Sequence, residues 1–216
     1  MPEQDIDVLI IGAGLSGIGM ACHLARQLPT RRVRLLERRD AIGGTWDLFR
    51  YPGVRSDSDM FTMGYDFQPW MKPKILAEGS LIRDYIRRTA EQYGVDQHIH
   101  FGLKVTAADW SSSRSQWTVT ALNETTGDIA TYCCHFLISC AGYYNYDAGY
   151  SPEFPGIGSF KGQCIHPQFW PESLNYRDKK VVVIGSGATA ATIVPAMAQD
   201  VAQITLLQRS PSYYLS

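Results

Sequence analysis

Val8-Leu-Ile-Ile-Gly12-Ala-Gly14-Leu-Ser-Gly17 and Val181-Val-Val-Ile-Gly185-Ser-Gly187-Ala-Thr-Ala190 are two stretches of the same kind. Each combines a short apolar run, a glycine-rich turn and the start of an apolar segment, which predicts strand, turn and helix in that order. Small residues let the backbone approach a pyrophosphate, and the helix N-terminus offers it N–H donors and a positive dipole end. One such turn is weak evidence, but two in one chain predict two bound dinucleotides.

The residues that end the second strand of each unit distinguish the two dinucleotides. In the first unit, Arg34-Leu-Leu-Glu37 ends on a carboxylate, which can accept hydrogen bonds from the ribose hydroxyls of FAD or NAD. In the second, Ile204-Thr-Leu-Leu-Gln208 is followed by Arg209 and Ser210, and a guanidinium with a hydroxyl can bind the 2′-phosphate of NADPH. Charged residues are also common at solvated strand ends, and this alternative stays open.

Composition excludes several classes of function. The chain has 216 residues, is 45% apolar and has a formal net charge of −1, so it can bury a core but lacks a basic face for nucleic acid. No apolar run approaches the roughly 20 residues of a membrane span, and the acidic start Met1-Pro-Glu-Gln-Asp5 is unlike a signal peptide. We therefore predict a cytoplasmic protein with no nucleic-acid partner and no transmembrane segment.

The cysteines and histidines predict neither disulfides nor a metal site. Five cysteines form an odd set without C-x-x-C spacing, as expected of reduced thiols inside cells. His98 and His100 could share one side of a strand, but no further ligands stand in register with them.

The order of patterns predicts an α/β fold with two Rossmann-like, doubly wound nucleotide-binding domains, the second of them incomplete. The second domain ends at Ser216, a few residues past its second strand, so we expect the chain to be a fragment. The predicted parts are a first nucleotide domain at 1–145 with a small antiparallel meander at about 103–135, a linker at 146–178, and the start of the second domain at 179–216.

Two elements inside the first domain are predicted more closely. Apolar residues at helical spacing predict a helix over 80–93, with Ser80 as its N-cap. Ile129-Ala-Thr-Tyr132 is expected to be the last strand of the meander. Phe136-Leu-Ile-Ser-Cys140-Ala-Gly142 is then expected to be a separate strand that returns to the first sheet.

Two longer patterns lie between the glycine turns. Phe160-Lys-Gly162-Gln-Cys-Ile-His166-Pro-Gln-Phe-Trp170 has the spacing F-x-G-x-x-x-H-x-x-x-W, and Gly43-Gly-Thr-Trp46-Asp-Leu-Phe-Arg-Tyr51-Pro-Gly53-Val-Arg-Ser-Asp57 has the spacing G-G-x-W-x-x-x-x-Y-P-G-x-x-x-D. Both resemble fingerprints of the class B flavin-dependent monooxygenases, and the second resembles that of their Baeyer–Villiger branch. The chain resembles the N-terminal part of such enzymes.

This resemblance implies an enzymatic function. FAD would occupy the first domain and NADPH the second, with O2 as co-substrate and a C4a-peroxyflavin as the oxidant. The substrates would be small molecules: ketones that become esters or lactones, and sulfides or thioamides that gain oxygen. An active-site arginine expected later in the family's sequence lies beyond the end of this chain.

The resemblance also assigns cofactor-binding roles to residues in and around the glycine turns. For FAD these residues are Gly12, Gly14, Ser16, Gly17, Glu37, Gly44, Thr45, Trp46, Asp47, Leu48, Asp57 and Val105. For NADPH they are Gly185, Ser186, Gly187, Ala188, Thr189, Ala190, Arg209 and Ser210.

Arg55 and Asp57 are the catalytic candidates. The resemblance implies that Asp57 lies near flavin and nicotinamide, where a carboxylate can orient the nicotinamide amide or a partner guanidinium. Because Asp favours turns and residues 55–59 form a loop-like stretch, Asp57 as a simple turn residue is the alternative. His166 and Trp170 are expected to fix domain geometry rather than to transfer protons.

Two other functions remain open at this point. A truncated, non-catalytic nucleotide-binding fragment would keep the glycine turns and lose the reaction. A disulfide reductase would also pair FAD with NADPH, but it needs a redox cysteine pair near the flavin. No cysteine pair follows Gly43-Gly44, and Cys133 and Cys134 are adjacent on a predicted strand.

Overall fold

The computed structural model describes residues 3–213, so the outermost residues of the two predicted domains, 1–2 and 214–216, lie outside it. The fold is a mixed α/β arrangement with two sheets, as the sequence predicts. Its helices and strands, in chain order, are β1 (Glu3–Ile11), α1 (Leu15–Gln27), β2 (Val33–Leu36), α2 (Thr45–Leu48), α3 (Met60–Met63), α4 (Gly79–Gln92), β3 (Ile99–His100), β4 (Leu103–Ser111), β5 (Gln116–Asn123), β6 (Ile129–Ser139), β7 (Lys180–Ile184), α5 (Ala188–Met197) and β8 (Gln203–Leu207).

The first sheet has six strands in the order β3-β2-β1-β6-β5-β4. Its β3-β2-β1-β6 part is parallel, and its β6-β5-β4 part is antiparallel. Ile6, Leu9 and Leu36 from the parallel part pack with Val119 and Tyr132 from the antiparallel part in one buried cluster. The predicted meander is therefore the antiparallel half of the first sheet.

Strand β6 corrects one prediction. The separate strands expected to end at Tyr132 and to begin at Phe136 are wrong, because one continuous strand spans both. At Cys134 this strand pairs antiparallel with Trp117 of β5 and parallel with Ile6 of β1. No Gly or Pro interrupts residues 129–139, and β-branched and aromatic residues favour a long strand.

The second sheet is formed by β7 and β8, which are parallel and joined through α5. This is the predicted β-α-β unit of the second nucleotide domain. The last residues of the two strands, Ile184 and Leu207, are paired in register. The second glycine loop, residues 185–190, therefore follows directly from a strand end, as the first loop, residues 12–17, does.

The chain divides into two compact units, and each is discontinuous in sequence. Among the described residues, the first comprises residues 3–47 and 80–144, and the second comprises residues 48–79 and 145–213. The contiguous first domain at 1–145 and the linker at 146–178 do not coincide with these units. The G-G-x-W-x-x-x-x-Y-P-G-x-x-x-D pattern is divided between Asp47 and Leu48. Which unit binds which cofactor stays a prediction.

Helix α4 occupies the predicted place with slightly different bounds. It begins at Gly79, so Ser80 lies inside its first turn and not at the predicted cap position. Ile82 and Ile86 are fully buried, one turn apart on the same face. No helix among residues 3–213 is long and apolar enough to cross a membrane.

Candidate functional site

The first glycine loop has space only for hydrogen at two positions. Gly12 has φ +100°, and a Cβ there would lie 2.6 Å from the carbonyl oxygen of Cys140. A Cβ on Gly17 would overlap the carbonyl oxygen of Gly12. Helix α1 then begins after Gly14, with no side-chain cap and no acidic residue in its first turn. The loop therefore fits a pyrophosphate, because uncapped N–H donors at a helix N-terminus favour an anion.

Glu37 directly follows β2 and lies against this loop. Its side chain is buried, with Oε2 accepting from Ala13 N at 2.7 Å and Oε1 accepting from Arg39 N at 2.9 Å. The Glu37 backbone accepts from Leu103 N at 2.9 Å, which places the start of β4 beside it. Val105, two residues further along β4, packs against the buried cluster of the first sheet.

The turn that contains Gly43 and Gly44, residues 42–47, packs against the first glycine loop. Gly43 has φ +135° and donates from N to Ala13 O at 3.1 Å. A Cβ on Gly14 would lie 3.5 Å from Gly44 Cα, so the two backbones approach closely. The structure thus brings together most of the predicted FAD residues: Gly12, Gly14, Ser16, Gly17, Glu37, Gly44, Thr45, Trp46 and Asp47. Leu48 and Asp57 belong to the other compact unit.

Asp47 is buried in a cluster of ion pairs that the sequence did not predict. Its side chain is 1% exposed and pairs with Arg39 Nη2 at 2.7 Å and Arg87 Nη2 at 2.9 Å. A buried carboxylate requires such partners, because unpaired burial of a charge is very costly. Burial of Asp47 by itself implies cationic partners. No spacing in the sequence identifies Arg39 and Arg87 as those partners.

The second glycine loop repeats the strand-end geometry of the first. Gly185 N donates to Leu207 O at 2.8 Å, just as Gly12 N donates to Leu36 O at 2.8 Å. By this equivalence Gln208 stands where Glu37 stands in the first unit. A neutral residue there leaves no carboxylate to repel a 2′-phosphate. The sequence patterns assigned no role to Gln208, although the repeated Leu-Leu ending of β2 and β8 indicates its equivalence to Glu37.

The second glycine loop has free space beside Gly187. Gly187 precedes α5 without a side-chain cap, and a Cβ built on it meets no atom within 4 Å. Ser186 Oγ lies 2.6 Å from Ser212 Oγ. Arg209 and Ser210 are exposed just beyond β8. A dinucleotide phosphate can therefore approach this helix N-terminus without displacing protein atoms.

Comparison with known proteins decides the family. The family model described as flavin-binding monooxygenase-like matches residues 5–216. The chain belongs to this family. The family resemblance deduced from the sequence patterns is thereby confirmed.

Three known proteins indicate the degree of similarity. MymA of Mycobacterium tuberculosis is 63% identical over 99% of this chain. Cyclohexanone monooxygenase from Rhodococcus sp. Phi1, solved with NADP+, is 29% identical over 97% of the chain, with a TM-score of 0.81. OTEMO, solved with FAD and NADP, is 33% identical over 99% of the chain, with a TM-score of 0.80. The chain spans 44% of MymA and about 40% of the two structures, less than half of each.

Both monooxygenase fingerprints contribute to the support of α5, the helix that follows the second glycine loop. Gly53 has φ +80°, and a Cβ there would overlap Thr192 O and lie 2.7 Å from Ala196 Cβ. Tyr51 is buried with Ile193 and Met197 of the same helix. From the other fingerprint, Trp170 packs against that same cluster. The two patterns, far apart in sequence, thus meet within the second unit.

The His166 side chain is held by contacts with the backbone around it. Its Nδ1 accepts from Gln168 N at 3.2 Å and caps the short 3-10 turn Pro167–Phe169. A Cβ on Gly149 would overlap the His166 ring, so the ring fills the space that Gly149 leaves. This geometry favours the predicted structural role of His166 over proton transfer.

The predicted catalytic pair lies in a loop of the second unit. Arg55 and Asp57 are both exposed, and the buried Ser56 between them donates from Oγ to Ser58 O at 2.5 Å. Arg55 forms an isolated antiparallel bridge with Glu78. The two side chains are therefore accessible, and their catalytic role stays a prediction.

Proposed function

We propose that this chain is the cofactor-binding part of a monooxygenase that uses FAD, NADPH and O2. FAD binds at the first glycine loop and NADPH at the second. One observation supports this assignment above all. Two loops with the same strand-end hydrogen bond are followed by a buried carboxylate, Glu37, in one unit and by Gln208 and Arg209 in the other. A carboxylate suits ribose hydroxyls, and a guanidinium suits a 2′-phosphate.

In the first unit the residues bind and orient FAD. The N-terminus of α1 and the glycines hold the pyrophosphate, while Glu37 accepts from the ribose. The turn at 42–47, packed on the loop through Gly43, supports the flavin side of the cofactor. FAD, when reduced by NADPH, supplies the activation of O2.

In the second unit the residues bind NADPH. The N-terminus of α5 holds its pyrophosphate, and Arg209 with Ser210 holds its 2′-phosphate. The contacts of Tyr51, Gly53 and Trp170 fix α5, and through it the second loop. Asp57, which is accessible in the adjoining part of the fingerprint, orients the nicotinamide amide or a partner guanidinium, and the accessible Arg55 is the second catalytic candidate.

The substrates we propose are small molecules. Ketones would give esters or lactones, as the Baeyer–Villiger fingerprint and the likeness to a cyclohexanone monooxygenase suggest. Sulfides and thioamides would take up one oxygen atom, because soft sulfur is readily oxygenated by the same oxidant. A cytoplasmic location belongs to the same proposal, in keeping with five unpaired thiols.

An anaerobic absorbance spectrum of the FAD-reconstituted chain tests the cofactor assignment. We expect bound flavin, and bleaching near its visible maximum when NADPH is added. Bound flavin that is not reduced by NADPH would favour the non-catalytic fragment for this chain. A colourless chain would contradict the assignment of FAD to the first loop.

The variant Gly187→Ala tests the second loop. Its backbone angles, φ −79° and ψ −172°, suit any residue, and the added methyl meets no protein atom within 4 Å, so the fold should be retained with only a small loss of stability from Ala at this N-cap. If a pyrophosphate occupies that space, affinity for NADPH should fall roughly tenfold or more, as for loss of about 1.4 kcal/mol of binding. The measurement is NADPH fluorescence titration alongside thermal unfolding.

Gly158→Ala is the matched control, because a Cβ there also meets nothing within 4 Å and lies outside the loop. It should bind NADPH like the unmodified chain. Equal NADPH affinity of Gly187→Ala and Gly158→Ala would remove the second loop from the NADPH site.

A further inference from the structure

Asp47 and its two arginines are more than a buried ion pair. Asp47 Oδ2 accepts from Arg39 and Oδ1 accepts from Arg87, so each carboxylate oxygen has its own guanidinium. The two arginines come from different elements: Arg39 follows β2, and Arg87 lies on α4. The carboxylate therefore joins two elements of the first unit. We call Arg39, Asp47 and Arg87 the Asp47 triad.

The arginines of the Asp47 triad also bind the backbone of the turn that contains Asp47. Arg39 donates to Gly44 O and to Asp47 O, each at 3.4 Å. Arg87 donates through Nε to Ile42 O at 3.2 Å. Three carbonyls of the turn at 42–47 are thus fixed from two sides. Gly43 and Gly44 both have positive φ, a conformation for which the glycine backbone has no intrinsic preference, so external contacts must hold it.

The same contacts continue to the first glycine loop. Arg39 N donates to Glu37 Oε1, and Glu37 Oε2 accepts from Ala13 N. Gly43 N in turn donates to Ala13 O. The first glycine loop, Glu37 and the turn at 42–47 are therefore linked by one continuous network of hydrogen bonds. Asp47 joins this network through Arg39. A shift of the turn would be transmitted to Ala13 and Glu37.

We propose that the Asp47 triad is a positioning device for FAD: it holds the turn at 42–47 in register with the first glycine loop. Its members need no direct contact with the isoalloxazine ring. This inference rests on the proposed function, since it requires FAD at the first loop. It also changes the role expected for Asp47, whose carboxylate is occupied by the two guanidiniums.

The decisive variants alter Arg87, because Arg39 and Asp47 can still pair when it is changed. Arg87→Gln removes one charged hydrogen bond to Asp47 and the Nε bond to Ile42, and affinity for FAD should fall roughly 10- to 100-fold, the worth of a charged hydrogen bond. Arg87→Lys keeps the charge but cannot reach both acceptors with a planar fork, so its affinity should be intermediate. Asp47→Asn should be the most severe.

Arg88→Gln is the matched control. Arg88 is exposed on the same helix and donates to Asp84 O within that helix. It should leave FAD affinity unchanged. Three readouts apply to every variant: FAD affinity by flavin fluorescence, the visible absorption and circular dichroism of bound flavin, and NADPH affinity. A positioning role predicts an altered flavin spectrum and weaker FAD binding with unchanged NADPH binding.

The outcomes separate the inference from the proposed function. If the unmodified chain binds FAD and both Arg87 variants bind it equally well with an unchanged flavin spectrum, the inference is overturned and the FAD assignment survives. If the variants lose FAD and NADPH affinity in parallel, the Asp47 triad is only a stability element and the inference is overturned as well. If the unmodified chain binds no FAD, both fail. Should Asp47→Asn not fold, the two Arg87 variants decide.

Discussion

The thiol side chains differ sharply in their surroundings. Burial raises the pKa of Cys22 and of Cys134 to about 11, and Cys164 is exposed. At pH 8 roughly one part in a thousand of a thiol with pKa 11 is ionised, and the thiolate is the nucleophile. Iodoacetamide at pH 8 should therefore label Cys164 first and leave Cys22 and Cys134 unlabelled, as followed by mass spectrometry of the folded chain.

Labelling of Cys22 and Cys134 should increase as the pH approaches 11, because deprotonation then becomes favourable. Labelling of these two residues at pH 8 as fast as Cys164 would contradict the burial of their thiols. The result also bears on the disulfide reductase alternative. Cys133 and Cys134 are neighbours on β6, so their side chains point to opposite faces of the sheet and cannot act as a redox pair without rearrangement.

Single residues show where sequence reasoning works and where it stops. Glu37 could be placed because a strand end next to a glycine turn has a fixed geometry, which follows from local sequence. Asp47 was assigned to the cofactor by resemblance, but its ion pairs depend on Arg87, 40 residues further along the chain. Which face of α4 meets the turn at 42–47 is decided by packing, and packing is not encoded in local spacing.

At the scale of elements, the contact between the Tyr51-Pro52-Gly53 turn and α5 leads to a prediction. Gly53→Ala adds left-handed strain of about 1 kcal/mol and overpacking of about 1–3 kcal/mol, because its methyl would meet Thr192 O and Ala196. The expected loss of unfolding free energy is about 2–4 kcal/mol, with weaker NADPH binding. Urea unfolding followed by circular dichroism measures the first, and fluorescence titration the second.

Gly127→Ala isolates the packing part of this effect. Gly127 has nearly the same angle, φ +78°, but a Cβ there meets nothing within 4 Å. Only the strain of about 1 kcal/mol should remain. Equal losses for Gly53→Ala and Gly127→Ala would mean that the turn does not rest on α5.

The elements also differ in how far the sequence predicted them. The β-α-β units, α4 and the two-stranded second sheet followed from apolar periodicity and glycine turns. The division into two strands at Tyr132 and Phe136 was wrong, because pattern alone does not reveal that one strand can have an antiparallel partner on one side and a parallel partner on the other. The packing of both fingerprints on α5 is likewise long-range and was not predicted.

At the scale of the whole molecule, each cofactor should protect its own unit. Hydrogen exchange should slow in residues 12–18 and 42–47 when FAD is bound, and in residues 185–190 and 208–210 when NADPH is bound. At a free ligand concentration 100 times Kd, opening of the bound unit costs about 2.7 kcal/mol more, a roughly 100-fold slower exchange for amides that require that opening. Mass spectrometry of peptides from each unit gives the comparison.

The exposed turn at 112–115, between β4 and β5, should exchange at the same rate in all states and serves as the internal control. Protection of the second loop by FAD, or of the first loop by NADPH, would reverse the cofactor assignment. Protection of one loop by both ligands would contradict two separate dinucleotide sites. The two loops share their strand-end hydrogen bond and are followed by Glu37 in one unit and by Gln208 and Arg209 in the other, so such a reversal would mean that these side chains do not select the cofactor.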